Sequence, residues 1–136
     1  MTQQLHDNTG APVTVRLERV LPIGTYAVRL ADGSSVGRAD FVDSPEVEGE
    51  RILFHTEVAP EVGGRGLAGL LVREVLADSL RTGTTVVPVC PLFAAHLKEH
   101  GDEYVADGGR FRKPRPADLA LVTSMALKGP RALTDS

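Results

Sequence analysis

The 136-residue chain holds one cysteine, no tryptophan and only 4% aromatic residues. A lone cysteine, Cys90, cannot close an internal disulfide, so the fold has to stand on packing. With so few rings, the core must be built from Leu, Val and Ala. Positive charge is not in excess either. Fifteen Lys and Arg against 18 Asp and Glu leave a formal net charge of −3, the opposite of the balance a nucleic-acid binder usually carries. No apolar run reaches the length that spans a bilayer. The opening "MTQQLHDNTGAPVTV" has neither a basic leader nor a long apolar stretch. These absences set the expectation of a reduced, cytoplasmic setting without nucleic acid or membrane, and of Cys90 as a free thiol.

What is present fits one domain of ordinary size. Residues 1–12 are polar, with Gly and Pro, and read as a loose arm. A strand is expected over Val13 to Val20. "TYAVRL" and "SVGRADFV" flank Ala31-Asp32-Gly33-Ser34, a turn that signals a hairpin. Asp43 to Glu50 is an acidic loop, and "RILFHTEV" is the next strand, so the first half is antiparallel β. The second half changes period. Leu67, Ala68, Leu71, Val72, Val75, Leu76 and Leu80 fall at helical spacing, and Gly83 supplies the stop. "TTVVPV" reads as a short buried strand, and Pro91 opens a helix expected to end at Gly101. A last strand is expected around Tyr104. The working division is an arm over 1–12, a domain over 13–109, and a partly ordered extension over 110–136 with a short helix from Ala117 to Leu127.

"VAPEVGGRGLAG", Val58 to Gly69, joins a strand to the long helix. Loops of this kind aim backbone N–H groups at an anion, and the helix N-terminus adds partial positive charge. A phosphate-binding NTPase loop needs Gly-Lys-Ser/Thr, whereas Gly66-Leu67-Ala68 stands here. Gly64-Arg65-Gly66-Leu67-Ala68-Gly69 does match G-x-G-x-x-G. A dinucleotide site, however, wants the motif directly after its strand and an acidic residue about 20 positions on, where Val87-Pro88-Val89 stands.

Gly63-Gly64-Arg65-Gly66-Leu67-Ala68 instead resembles the acetyl-CoA motif Arg/Gln-x-x-Gly-x-Gly/Ala of the GNAT acetyltransferase superfamily, with Gly63 where Arg or Gln is usual. "HTEVAPEVGGRGLAGLLV" followed by "VVPVCPLFAAHLKEHGDEY" is similar to a small single-domain GNAT subfamily marked by one cysteine in the acetyl-CoA site. The resemblance covers roughly residues 13–106. It implies an α/β fold with a mixed central sheet, antiparallel N-terminal strands, and a V-shaped splay between two parallel strands that admits CoA. It also implies acetyl-CoA as acyl donor, no metal, an amine acceptor of unknown identity, small or macromolecular, and a monomer or weak homodimer. The donor contacts carried over are Val58, Gly63, Gly64, Arg65, Gly66, Leu67, Ala68, Gly69, Cys90 and Pro91.

Pro88 lacks a ladder donor, so regular pairing is expected to stop there and a gap to open. Pro91 suits a first helical turn, which puts Cys90 at about the N-cap, facing the positive end of the helix dipole. Cys90 is read as a functional thiol. Transfer through an acetyl-cysteine and direct transfer both stay open, beside the plain alternative of a small buried hydrophobe. His55 and Glu57 share one strand face, Thr56 and Val58 the other. Because GNAT enzymes often place a glutamate on this strand, the resemblance makes Glu57 the candidate base and His55 its neighbour. His96 and His100 have a spacing that could hold a metal, but with no third ligand a solvated helix face is the better reading. A noncatalytic CoA-binding module is the second functional expectation.

Overall fold

A computed structural model describes residues 3–20, 23–45 and 47–128. A single seven-stranded sheet runs in sequence order. The strands are β1 (Gln3–His6), β2 (Pro12–Val20), β3 (Ile23–Leu30), β4 (Ser35–Asp43), β5 (Glu50–Val58), β6 (Thr85–Pro88) and β7 (Arg110–Phe111). Pairing is antiparallel from β1 to β5 and parallel from β5 through β6 to β7. The helices are α1 (Leu67–Thr82), α2 (Pro91–Ala106) and α3 (Pro116–Lys128). The expected mixed α/β sheet with antiparallel N-terminal strands is therefore what the chain forms. Among the described residues no helix is long and apolar enough to cross a membrane.

The two faces carry separate cores. On one, α1 buries Leu67, Leu70, Leu71, Val72, Val75 and Leu76 against Val28, Phe41, Leu53 and Val86 of the sheet and Phe93 and Leu97 of α2. Each such side chain contributes roughly 1.5–3 kcal/mol of transfer free energy. On the other face α3 lays Leu121, Val122 and Met125 over Ile23, Val42, Ile52 and Val87. Gly83 closes α1 in the left-handed conformation, as its place in the sequence suggests.

Three expectations change. The stretch 1–12 is not all arm: Gln3–His6 pair with Val15–Pro12 as an antiparallel hairpin. This edge strand is hidden in the sequence by its polar composition, which is how exposed edges resist aggregation. Met1 and Thr2 lie outside the described residues. The helix after Pro91 passes Gly101 and runs to Ala106, so Tyr104 is helical. Gly101 is needed for contact rather than termination, since a Cβ there would sit 2.7 Å from the Phe111 ring. The last strand is consequently Arg110–Phe111, and the helix expected at Ala117–Leu127 is α3. Residues 129–136 of the expected extension lie outside the described residues.

Arg112, just past β7, ties α3 to the sheet. Its guanidinium is gripped by Glu50 through Nε and Nη2 (3.0 and 2.7 Å) and by Asp118 through Nη1 and Nη2 (2.8 and 3.0 Å). Arg112 is the largest cause holding both carboxyls below their ordinary values. Removing it would leave two poorly hydrated carboxylates beside each other. Arg112→Met is expected to cost about 2–3 kcal/mol in urea unfolding and to speed hydrogen exchange in α3. Depressed carboxylates stabilise the native state above their unfolded pKa values and lose that contribution as pH falls toward the native ones. The wild-type advantage should therefore be complete at pH 7 and shrink as pH drops below about 4.5.

Candidate active site

The site grows from the parting of β5 and β6. Their parallel register ends at Leu53–Pro88, yet β5 continues to Val58 against β4. Beyond that point the N–H groups of Val89 and Cys90 both turn onto the Leu53 carbonyl, at 2.9 and 2.8 Å. The chain then enters α2. On β5 the register with β4 slips at the same level, so that Phe54 is an extra residue between Leu53 and His55. Such a bulge bends its strand. The two strands thus diverge from one shared acceptor, and a slot opens along Phe54 to Val58.

The backbone groups lining the slot follow from the two-residue period. Ala59 N–H donates to Val36 O of β4 at 2.8 Å, so Glu57 and His55 also direct their backbone groups to β4. The N–H and C=O groups of Thr56 and Val58 therefore point to the side that β6 has left. Val58 was expected among the donor contacts, whereas Thr56 was only assigned to its face, although the same alternation gives its backbone direction.

Pro88 acts differently from expectation. Thr85 N–H donates to Gly49 O, just before β5, and Val89 N–H to Leu53 O of β5, while Arg112 N–H reaches Val86 O from the other side. By alternation, the proline nitrogen faces β7. The missing donor ends the ladder toward β7, and the gap toward β5 comes from the turn at Leu53.

At the upper end of the slot stands the glycine loop. Gly64 and Gly66 have φ of 86° and 76° with Arg65 between them, a left-handed geometry that glycine accepts without strain. Such alternation makes a concave cluster of N–H groups. Gly66 is the N-cap of α1 and offers no side-chain cap, so the first-turn donors of Leu67, Ala68 and Gly69 lack that partner. Gly63 is extended, its N–H on Pro60 O at 3.1 Å. The Arg65 guanidinium turns away to Asp7, with Nε and Nη2 at 2.6 and 2.5 Å from Oδ2.

Cys90 is the N-cap of α2 with Pro91 in its first turn, as expected. Cys90 is 5% exposed within the α1-side core, and Thr56 Oγ1 lies 3.4 Å from Sγ. His55 and Glu57 occupy the opposite face of β5. There His55 Nε2 is 3.2 Å from Glu57 Oε1, and Arg38 Nη2 is 3.4 Å from the same oxygen. Arg38 also pairs with buried Asp40, which accepts from Thr25 Oγ1 at 2.9 Å. Its Nε is buried without a partner among the described residues. The His55 hydrogen bond, followed by the charge of Arg38, holds the Glu57 carboxyl below the ordinary carboxylate range. The structure thus joins His55 to Glu57, and Cys90 to Thr56, across the thickness of one strand. Arg38 and Asp40 went unnoticed in the sequence because nothing local distinguishes two charges on a strand facing a bulged neighbour.

The His96 and His100 rings lie 4.9 Å apart between centroids, tilted by 42°. They flank a cleft of about 250 Å³ between α1 and α2, lined also by Gly69, Arg73 and Leu92. Burial is the main cause that lowers the His96 pKa. No cluster able to hold a metal occurs among the described residues.

Comparison with known proteins adds the family. Curated protein sequences yield no match. Among solved structures, a mutant of a cAMP-binding acyltransferase from Mycobacterium smegmatis is 12% identical with a TM-score of 0.49, covering 61% of this chain and 36% of that one. A spermidine N-acetyltransferase from Vibrio cholerae, solved with CoA and spermine, is 20% identical with a TM-score of 0.38, covering 45% and 36%. A ribosomal-protein-alanine N-acetyltransferase from Brucella melitensis biovar Abortus 2308 is 21% identical with a TM-score of 0.42, covering 86% and 68%. The chain spans only about a third of the length of the first two. The family model described as GCN5-related N-acetyl-transferase matches residues 25–107, which take in β3 to α2, the slot and the glycine loop together. The chain belongs to the GCN5-related N-acetyltransferase family.

Proposed function

We propose that this chain transfers an acetyl group from acetyl-CoA to an amine. The observation that carries the reading is the slot itself. An open strand edge with two outward-facing backbone pairs, at Thr56 and Val58, leads to a glycine loop and an uncapped helix N-terminus. Pantetheine is a flexible arm with two amides, which matches the strand edge. A pyrophosphate matches the N–H cluster of Gly64 to Gly69. Few other ligands need both features at once.

In this reading the thioester lies near the bulge at Phe54, with Cys90 and Thr56 on one wall. The acceptor amine approaches from the face of His55 and Glu57. Its nitrogen attacks the carbonyl carbon, the carbon–sulfur bond breaks, and CoA leaves as a thiolate that takes a proton from solvent. The amine proton passes to His55. Glu57, kept ionised by His55 and Arg38, fixes the ring by accepting from Nε2 and leaves Nδ1 free. The Glu57 carboxyl, held below the ordinary carboxylate range, is a weaker proton acceptor than an unpaired carboxylate. Glu57, the base expected from the sequence, becomes the group that orients His55.

Transfer is direct in this account. Cys90 is buried in the α1-side core beside Thr56 and has neither His55 nor Glu57 on its face, so among the described residues neither candidate base stands ready to activate it. Cys90 lines the wall.

Two measurements follow. Across a panel of small amines and peptides with acetyl-CoA, His55→Gln should lower kcat by about 10²–10³-fold, with KM for acetyl-CoA little changed. Turnover that is unaffected by His55→Gln but abolished by Glu57→Gln would return the base role to Glu57. Cys90→Ala should keep kcat within about threefold, and neither protein should carry an acetyl adduct in intact mass after incubation with acetyl-CoA. A hydroxylamine-labile adduct on wild type alone would establish the covalent route. Binding of CoA without turnover of any amine would instead favour a noncatalytic module.

A further inference from the structure

The β1–β2 hairpin, at the far edge of the sheet in sequence order, reaches across to the glycine loop. The turn is Asp7-Asn8-Thr9-Gly10. The Asp7 carboxylate is buried and builds the turn by accepting from Thr9 N–H and Oγ1 (2.8 and 2.6 Å) and from Ala11 N–H (3.1 Å). Its other oxygen receives the Arg65 guanidinium at 2.5 and 2.6 Å. Asn8 adds two bonds: its backbone N–H donates to Arg65 O at 3.0 Å and its Nδ2 to Gly64 O at 3.0 Å. The Asn8 side chain also closes over Gly66, where a Cβ would meet it at 3.4 Å.

These bonds engage the back of the loop. They occupy the carbonyls of Gly64 and Arg65 and the one charged side chain between the left-handed glycines. Of the donors of the same peptides, Arg65 N–H turns to Val62 O at 3.4 Å, and Gly66 N–H, opposite the Arg65 carbonyl, is left facing the other way. A segment with glycines on both sides of a single residue is otherwise free to sample many conformations. Ligand binding would then have to order it, at a cost in affinity. The Thr9 hydrogen bonds, with burial opposing and Arg65 assisting, hold the Asp7 carboxyl far below the ordinary carboxylate range. The contact therefore persists through the neutral pH region and well into acid.

We infer that Asp7 and Asn8 are positioning residues that set the conformation of the Gly63–Gly66 loop for the donor's pyrophosphate, without touching the donor. The inference rests on the proposal that this loop holds acetyl-CoA. It gives the N-terminal hairpin a role in donor affinity exerted through the loop, without contact with the donor.

The test compares two acetyl donors, acetyl-CoA and S-acetylpantetheine, which lacks the pyrophosphate. KM and kcat are measured for wild type, Asp7→Asn and Asn8→Ala with the best amine found for wild type. Where no amine turns over, Kd values for CoA and pantetheine serve instead. Asp7→Asn keeps most of the turn's hydrogen bonds but loses the negative charge that pairs with Arg65. It should raise KM or Kd for the CoA donor about tenfold, equivalent to about 1.4 kcal/mol. Asn8→Ala should raise it a few-fold. Values for the pantetheine donor, and kcat, should stay within twofold of wild type. Asn8→Ala also keeps the inference testable should Asp7→Asn fold poorly, because it removes one exposed side-chain bond. Equal losses for both donors would mean that the hairpin only stabilises the domain, and unchanged CoA affinity in both variants would mean that the loop needs no support; either result overturns the inference. A wild-type protein that binds neither CoA nor acetyl-CoA would defeat the donor-site reading itself.

Discussion

One carbonyl sets the geometry of this molecule. Leu53 O accepts from both Val89 and Cys90, and that double acceptance ends the β5–β6 ladder while β5 continues along β4. Everything assigned to the site stands at a fixed distance from that point. Phe54 bulges beside it, Cys90 caps the helix that leaves from it, and the backbone groups of Thr56 and Val58 line the gap it creates. A slot made in this way costs few buried unsatisfied groups, since the diverging strand becomes a helix whose first turn tolerates Pro91.

The division of faces follows from the same strand. On the α1 side β5 presents Thr56 and Val58 to the core and Cys90. On the other it presents His55 and Glu57 next to Arg38 and Asp40. A donor threading between β5 and β6 would have its thioester within reach of both faces, which lets donor binding and proton acceptance be built on opposite sides of a single strand. Strand walls of this kind hold such groups more precisely than loops do. The segment from β3 to α2 holds the slot, the glycine loop and the His55–Glu57 pair.

Much of this was legible in the sequence because the signals were local and periodic. The spacing of Leu67 to Leu80 and the glycine at 83 gave α1 nearly to the residue. The alternation in His55-Thr56-Glu57-Val58 gave the two faces, and Pro91 placed Cys90 at its N-cap. What escaped depends on contacts between distant segments. The β1 strand is a polar edge whose pairing is specified by β2. Gly101 reads as a stop until Phe111 is seen against it. The cause of the slot was assigned to Pro88, but the side to which a proline nitrogen points depends on register, which one strand alone does not reveal. Arg38, Asp40, Asp7 and Asn8 carry no motif, and only the fold brings them to the site.

The account turns on whether the open edge of β5 and the glycine loop receive one ligand together. Residue-resolved amide exchange of the wild-type protein, with and without saturating CoA, measures this directly. The prediction is slowed exchange at Thr56 and Val58 and across Gly64 to Gly69, with β2 and β3 unchanged. Slowing that appears in the loop but not at Thr56 and Val58, or no slowing at either, would contradict it.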